Sequence, residues 1–490
     1  MKIGSLGAVS LALPVGSIAR MLGQVSAGNP KGLAHVRLRM VNKTVSLYGG
    51  AQTQVSCFEA TLLKGKPNTV GRFSWTWPGP IIRVDKGTRF RADIFNDLNE
   101  ESIIHFHGVH VPELEDGHPL YVKQPGETYS SEFTVVNRAG TYWFHPHPDM
   151  LTGKQVYAGM AGLFIVSDPE EQALSLPRGE YDLPILIQDR RYDTNNQLVY
   201  NNSSMAGMLG NKMCVNGYPD YVHSCATRVY RLRIVNGSNA RIYKLAWGDG
   251  SPMVVIGTDG GLLAAPIQKP YVTLAPGERI EVWADFRQMS LGSDAVLLSQ
   301  SFTGVGPAGG QSPIQGSLFE VMRFRIARIE DEVLTLPQVL SNPSFENPNE
   351  AINKDAPRHF PVTMFEGKWV LNGQPFQLEG IMSNEQVRLG TLEVWEFSNI
   401  LGMSPIAHPI HIHCAQFQVI QRSPDPARQV QYDTLKSGFT DEGWKDTFLL
   451  MPGEVVKVLV RFSKYKGQFL YHCHNLEHED MGMMRNFIIY

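Results

Sequence analysis

Twelve consecutive residues, His472-Cys473-His474-Asn475-Leu476-Glu477-His478-Glu479-Asp480-Met481-Gly482-Met483, limit this chain more than any other stretch. They hold three histidines, one cysteine and two methionines. Side chains alternate across a β-strand, so His472 and His474 face one way and Cys473 the other. The strand can therefore serve a metal centre on each side. Cys473, His478 and a methionine supply the thiolate, imidazole and weak thioether of a blue-copper site, which leaves the flanking histidines for a second copper site. Two metals joined through one Cys-His link form a path for electrons.

The remainder of the chain reads as scaffold. From about Val36, short alternating runs such as Arg89-Phe90-Arg91-Ala92-Asp93-Ile94-Phe95 are broken by Gly, Pro, Asn and Asp. Runs of this kind predict β-sandwiches, and 490 residues suffice for three domains. A weak repeat supports three copies. Pro125-Gly126-Glu127, Pro276-Gly277-Glu278 and Pro452-Gly453-Glu454 each precede an alternating strand, the place for a Pro-Gly turn. Residues 36–168, 180–330 and 355–490 are the expected domains. Residues 168–182 and 329–360 are the connectors, and residues 302–316 a Gly-rich loop of the middle domain. Residues 1–35 form a leader or N-terminal arm. Their apolar run over 3–18 and the small residues Val25-Ser26-Ala27 resemble a secretory signal, the run being similar to the part of a twin-arginine leader that follows the arginine pair, which predicts a periplasmic or extracellular protein. A net charge of −3 favours neither nucleic acid nor an anionic membrane surface as partner. No later segment is apolar enough to span a membrane. Five cysteines are too few for a disulfide scaffold. Cys214 and Cys225 flank an Asn-Gly turn and are candidates for one disulfide, a pairing the sequence leaves open; Cys57 and Cys414 read as buried free thiols.

Four pairs stand at His-X-His spacing: His105/His107, His145/His147, His411/His413 and His472/His474. On a strand each pair projects two imidazoles to one face. One such pair is weak support for a metal, but ten of the chain's 15 histidines lie in these pairs or at His408 and His478. Eight paired histidines can hold three coppers, two with three imidazoles and one with two, with open positions that admit dioxygen. The pairs belong to the first and third domains, which must then meet, with the middle domain as a spacer.

With these motifs the chain resembles the three-domain multicopper oxidases, in the bacterial branch of laccases, bilirubin oxidases and copper-efflux oxidases. The motifs are His105-Phe106-His107-Gly108, His145-Pro146-His147, His408-Pro409-Ile410-His411-Ile412-His413 and the run from His472 to Met483. Segments like Asp116-Gly117-His118, Thr258-Asp259-Gly260-Gly261 and Gly443-Trp444-Lys445-Asp446-Thr447 also occur in similar enzymes. The resemblance implies an all-β fold of three consecutive cupredoxin-like Greek-key β-sandwich domains and four copper ions. It assigns His408, Cys473, His478 and Met483 to the type 1 copper, with Met481 the competitor for the axial place. His105 and His411 go to type 2. His107, His145 and His474 hold one type 3 copper, and His147, His413 and His472 the other. It implies that a small-molecule reducing substrate gives single electrons at the outer edge of His478 or His408. Cys473 carries them to the cluster, which reduces dioxygen to water. Asp116 and Glu479 match acidic positions that relay protons; the plainer alternative is an Asx turn at Asp116 and a solvated helix residue at Glu479.

The donor is less constrained. A phenol, aromatic amine or bilirubin-like donor is expected. The competing reading, a cuprous oxidase in copper tolerance, rests on Met205, Met208 and Met213 as a sparse Cu(I)-capturing segment. A non-catalytic relative would have lost ligands that this chain keeps. The charged loop over residues 422–442 is a candidate wall of the substrate mouth near His478, and a monomer is expected.

Overall fold

The computed structural model describes residues 32–73, 77–201, 204–306, 313–399 and 406–490. The proposed signal run and cleavage site lie outside the described residues. Among them, no helix is long and apolar enough to cross a membrane. In the described residues, six sheets pair into three successive sandwiches. Each opens with the same parallel pairing: Leu33–Val45 with Arg89–Asp97, Asp182–Arg190 with Val229–Asn236, and Arg358–Phe365 with Leu392–Asn399. Alternation decides what each strand buries. Arg89–Asp97 sends Phe90, Ala92 and Ile94 into the first core and turns Arg89, Arg91 and Asp93 away. Burying each such large apolar side chain contributes roughly 1.5–3 kcal/mol.

The Pro-Gly-Glu repeat is a closure built the same way three times. Gly126, Gly277 and Gly453 have φ of +84°, +86° and +77°, the region glycine enters freely. The glutamate then folds back. Glu127, Glu278 and Glu454 accept from the backbone N–H of Gln124, Ala275 and Met451 at 2.7, 2.7 and 2.8 Å. An asparagine completes each closure. The N–H groups of Gly126, Gly277 and Gly453 donate to the carbonyls of Asn96, Asn236 and Asn399 at 2.7, 2.9 and 3.0 Å.

The connectors hold the sandwiches together. Asp168 caps the short helix Pro169–Gln172, and Glu171 from that helix pairs with Arg231 at 2.6 Å. In the long linker, Glu346 pairs with Arg461. The loop over residues 422–442 packs between the middle and third sandwiches. Tyr432, Leu435 and Phe439 pack with Ile242, Ala275, Phe302 and Val305 of the middle sandwich. Arg422 pairs inward with Asp441 and Glu454. Its apolar side chains make it a clamp between sandwiches. Cys214 and Cys225 are free thiols on strands of opposite sheets. Cys57 is a buried free thiol, and Cys414 a partly buried one.

Candidate metal centre

Strand register builds the site. In the third sandwich His408–Ile412 pairs antiparallel with Gly467–Cys473, setting Ile410 opposite Cys473 and His411 opposite His472. Ile410, Ile412, Tyr471 and Cys473 enter the core, so His411 and His472 leave on the other face. In the first sandwich His105 stands opposite His145, while Phe106 and Phe144 fill the core. The two outer faces abut, and all eight paired histidines are buried where they meet.

Their rings converge. His105 Nε2 lies 3.3 Å from His411 Nε2. His472 Nε2 lies 3.4 Å from His147 Nε2 and 3.1 Å from His413 Nε2. His145 Nε2 lies 3.4 Å from His107 Nδ1, and neither nitrogen of His474 has a hydrogen-bond partner. Most of the far nitrogens donate to oxygens. His105 Nδ1 meets Asp116 O at 2.6 Å, His411 Nδ1 Asp446 O at 2.8 Å, His413 Nδ1 Asp116 Oδ2 at 2.7 Å and His145 Nδ1 Pro146 O at 2.9 Å. A neutral imidazole has one N–H. Once Nδ1 carries it, the inward nitrogen is a bare lone pair. Burial holds His105, His107, His411, His413 and His474 well below the ordinary imidazole range, so they stay neutral. Trp143 walls one side, with ring centroids 4.4 Å from His145, 5.3 Å from His107 and 5.6 Å from His474.

On the other face of the same strand, Cys473 Sγ lies 3.5 Å from His408 Nδ1 and 3.7 Å from His478 Nδ1, which are 3.3 Å apart. A point about 2 Å from all three exists, close to ordinary metal–nitrogen and metal–sulfur bond lengths. Met483 is buried in the same core, and its N–H donates to His478 O at 2.9 Å. Met481 is only partly buried, which favours Met483 beside the triangle.

The outer edge of this triangle is covered. His478 and His408 are fully buried. His478 Nε2 donates to the carbonyl of Met205 at 2.9 Å. Met208 N–H donates to Glu477 Oε2 at 2.8 Å, and Asn239 Nδ2 to Glu477 Oε1 at 2.7 Å. The segment over 204–208 thus covers this edge. The three methionines do not form one patch. Met213 is buried in the middle core, Met208 is buried, and Met205 packs on the third core.

Both expected acids reach the cluster. Besides its bond to His413, Asp116 keeps Oδ1 buried without a hydrogen-bond partner; burial, then Glu113, pushes its carboxyl well above the ordinary range. The turn at Gly117 is also there, with φ of +80°. Glu479 is buried rather than solvated, 3.0 Å from His472 Nδ1 and 3.5 Å from His147 Nε2. Burial would raise its pKa, but the histidines outweigh burial and hold it below the ordinary range. Sequence reasoning missed Trp143, Asn239, Arg279 and the Met205 carbonyl. Asp446 and Asp259 lay inside segments already marked, which was the only signal for them.

Two multicopper oxidase family models match, over residues 54–171 and 347–490. The laccase of Bacillus subtilis is 30% identical over 473 residues, 86% of this chain and 90% of that one. The bilirubin oxidase of Albifimbria verrucaria is 30% identical, covering 84% of this chain and 71% of that one. The McoA multicopper oxidase of Aquifex aeolicus superposes with a TM-score of 0.79 at 34% identity, over 94% of this chain and 98% of that one.

The chain belongs to the multicopper oxidase family.

It is a copper-dependent oxidoreductase with dioxygen as acceptor and a small molecule as donor, and its fold is three consecutive cupredoxin-like sandwiches. The residues present fit copper. As a multicopper oxidase must, the chain gathers inward lone pairs that cannot hydrogen-bond one another, and a buried thiol between two imidazoles. Imidazole and thiolate are the ligand types copper prefers.

Proposed function

We propose that this oxidase couples four one-electron oxidations of a phenol, aromatic amine or bilirubin-like donor to the four-electron reduction of dioxygen to two waters. The observation that carries the reading is the strand Gly467–Cys473 with His474, whose cysteine faces one donor set while the flanking histidines face the other. Copper, when bound, supplies one-electron redox chemistry at the cysteine and binds and reduces dioxygen at the histidines. His408, Cys473, His478 and Met483 hold one ion of type 1. His105 and His411 hold one of type 2. His107, His145 and His474, and His147, His413 and His472, hold two of type 3. Cys473 is joined through the backbone to His472 and His474, so with copper bound this link would connect the two donor sets for electrons.

Asp116 and Glu479 relay protons, four of which are consumed per dioxygen; Glu479, ionised at rest, takes up each proton and passes it on. The support is geometric: both carboxyl groups are buried against cluster histidines and carry oxygens without hydrogen-bond partners. The chain's own sandwiches complete every donor set, which supports a monomer, and the signal-like residues 3–27 support export to the periplasm or beyond.

The test is to load the purified protein with copper and follow oxygen uptake on a phenol, on bilirubin and on Cu(I). Four coppers per chain, blue absorption and fast organic turnover are expected. Fast Cu(I) oxidation with weak phenol turnover would assign the chain to copper tolerance instead. In Glu479→Gln the blue absorption should survive while oxygen reduction slows roughly 10²-fold or more, the range for losing a positioned acid–base group. Unchanged turnover would remove Glu479 from the relay.

A further inference from the structure

One histidine of the cluster is turned the other way round, and the cause traces to the sandwich that contributes none of the histidines. His107 points Nε2 outward, to Asp446 Oδ1 at 3.1 Å and Thr447 Oγ1 at 3.2 Å, so that Nδ1 faces His145. Asp446 also accepts His411 Nδ1 through its backbone carbonyl. One residue thus orients imidazoles in two different metal groups.

Asp446 is fixed in turn by Arg279 of the middle sandwich. Arg279 Nη1 and Nη2 donate to its two carboxylate oxygens at 2.5 and 2.6 Å. The guanidinium has little freedom of its own. Nε donates to Thr141 O at 3.1 Å and Nη2 to Asp259 O at 2.9 Å, while its backbone N–H donates to Asp259 Oδ1 at 2.7 Å. Lys445 extends the lattice to Asp259 at 2.9 Å and Glu278 at 2.7 Å. Arg279, Asp259, Lys445 and Asp446 are all fully buried. Two glycines let the backbone come this close. A Cβ on Gly108 would sit 2.3 Å from Asp446 Oδ2 and 2.6 Å from Arg279 Nη2. One on Gly277 would sit 3.0 Å from the His474 ring and 3.2 Å from His107 Cε1.

We propose that Arg279 is a positioning residue of the histidine cluster, acting through Asp446 to set which nitrogen of His107 faces the metal site and how His411 is aimed. The planar guanidinium matches a carboxylate with two parallel hydrogen bonds, which a lysine cannot reproduce. A carboxylate that accepts the outer N–H of a ligating histidine fixes its tautomer and ring orientation. The middle sandwich is therefore a working part of the cluster rather than a spacer. This inference rests on the copper reading above.

The test compares full-length, copper-loaded wild type with Arg279→Lys, Arg279→Gln and Asp446→Asn. It measures copper per chain, the electron paramagnetic resonance of the type 2 ion and the near-ultraviolet band of the type 3 pair. It also times anaerobic bleaching of the blue band by donor and its recovery on admitting oxygen. The variants should keep the blue band and its bleaching rate. They should show an altered type 2 signal and a roughly 10–100-fold loss in cluster copper affinity or recovery rate. Arg279→Lys, which keeps the charge without the fork, should fall between wild type and Arg279→Gln, and it keeps the test open if Arg279→Gln does not fold. Folded variants with wild-type type 2 and type 3 signatures and wild-type recovery overturn the proposal, even with a lowered melting temperature, because Arg279 then only docks one sandwich on another. A wild type that takes up no copper defeats the underlying reading itself.

Discussion

Burial at Cys473 pushes the thiol far above its ordinary pKa, so among apolar neighbours the proton leaves only when a cation replaces it. Cys473→Ser should abolish blue absorption and donor oxidation. It should cost about 1–3 kcal/mol of stability, the desolvation penalty of a buried hydroxyl, and leave the chain folded by circular dichroism. Retained donor turnover would show that electrons enter elsewhere. At this scale the sequence was legible where spacing carries meaning. The four His-X-His pairs, Cys473, Asp116 and Glu479 stand at offsets that a strand or turn converts directly into direction. Arg279 was not legible. It meets Asp446 across 167 residues, and no local pattern distinguishes a surface arginine from one aimed into a cluster.

Among the elements, the short helix Thr152–Ala158 depends on a residue far along the chain. Its own N-cap, Leu151, has no capping side chain. Asp480, at the end of helix Leu476–Asp480, accepts from the N–H groups of Thr152 and Gly153, both at 2.9 Å. Asp480→Ala should lower stability by about 1–2 kcal/mol, as loss of a cap does, read by thermal melting with the blue band intact. No change would mean that solvent replaces the cap. Strands and their inward faces were readable from alternation, and the three turns from Pro-Gly-Glu. The asparagines that complete those turns were not, because Asn96, Asn236 and Asn399 sit at unequal distances before them. The role of the 422–442 loop was also hidden, since its charged residues drew attention from Tyr432, Leu435 and Phe439.

For the whole molecule, the seam between the first and middle sandwiches is held by buried charge. Glu281 accepts from Arg233 and from Thr141, each at 2.7 Å, and pairs with Arg231 at 2.6 Å. Burial raises its pKa, but the two guanidiniums outweigh burial and hold it below the ordinary value of 4.5. A depressed carboxyl pKa stabilises the fold above the unfolded pKa and loses that effect as pH falls through the folded one. Wild type should therefore exceed Glu281→Gln by about 3 kcal/mol at neutral pH, the cost of breaking a buried pair. That margin should shrink below about pH 4. Denaturant melts of both across pH measure it, and a margin independent of pH would remove Glu281's charge from the account. The three Asn and Pro-Gly-Glu closures bear on how the sandwiches lock together. The same construction stands at three equivalent places, one in each sandwich. In the middle sandwich, which supplies none of the paired histidines, the closing glutamate, Glu278, also accepts from Lys445 Nζ of the third sandwich at 2.7 Å. One glutamate thus closes a turn and ties two sandwiches together, so the wedge that locks the arch is cut from the stone that carries no metal.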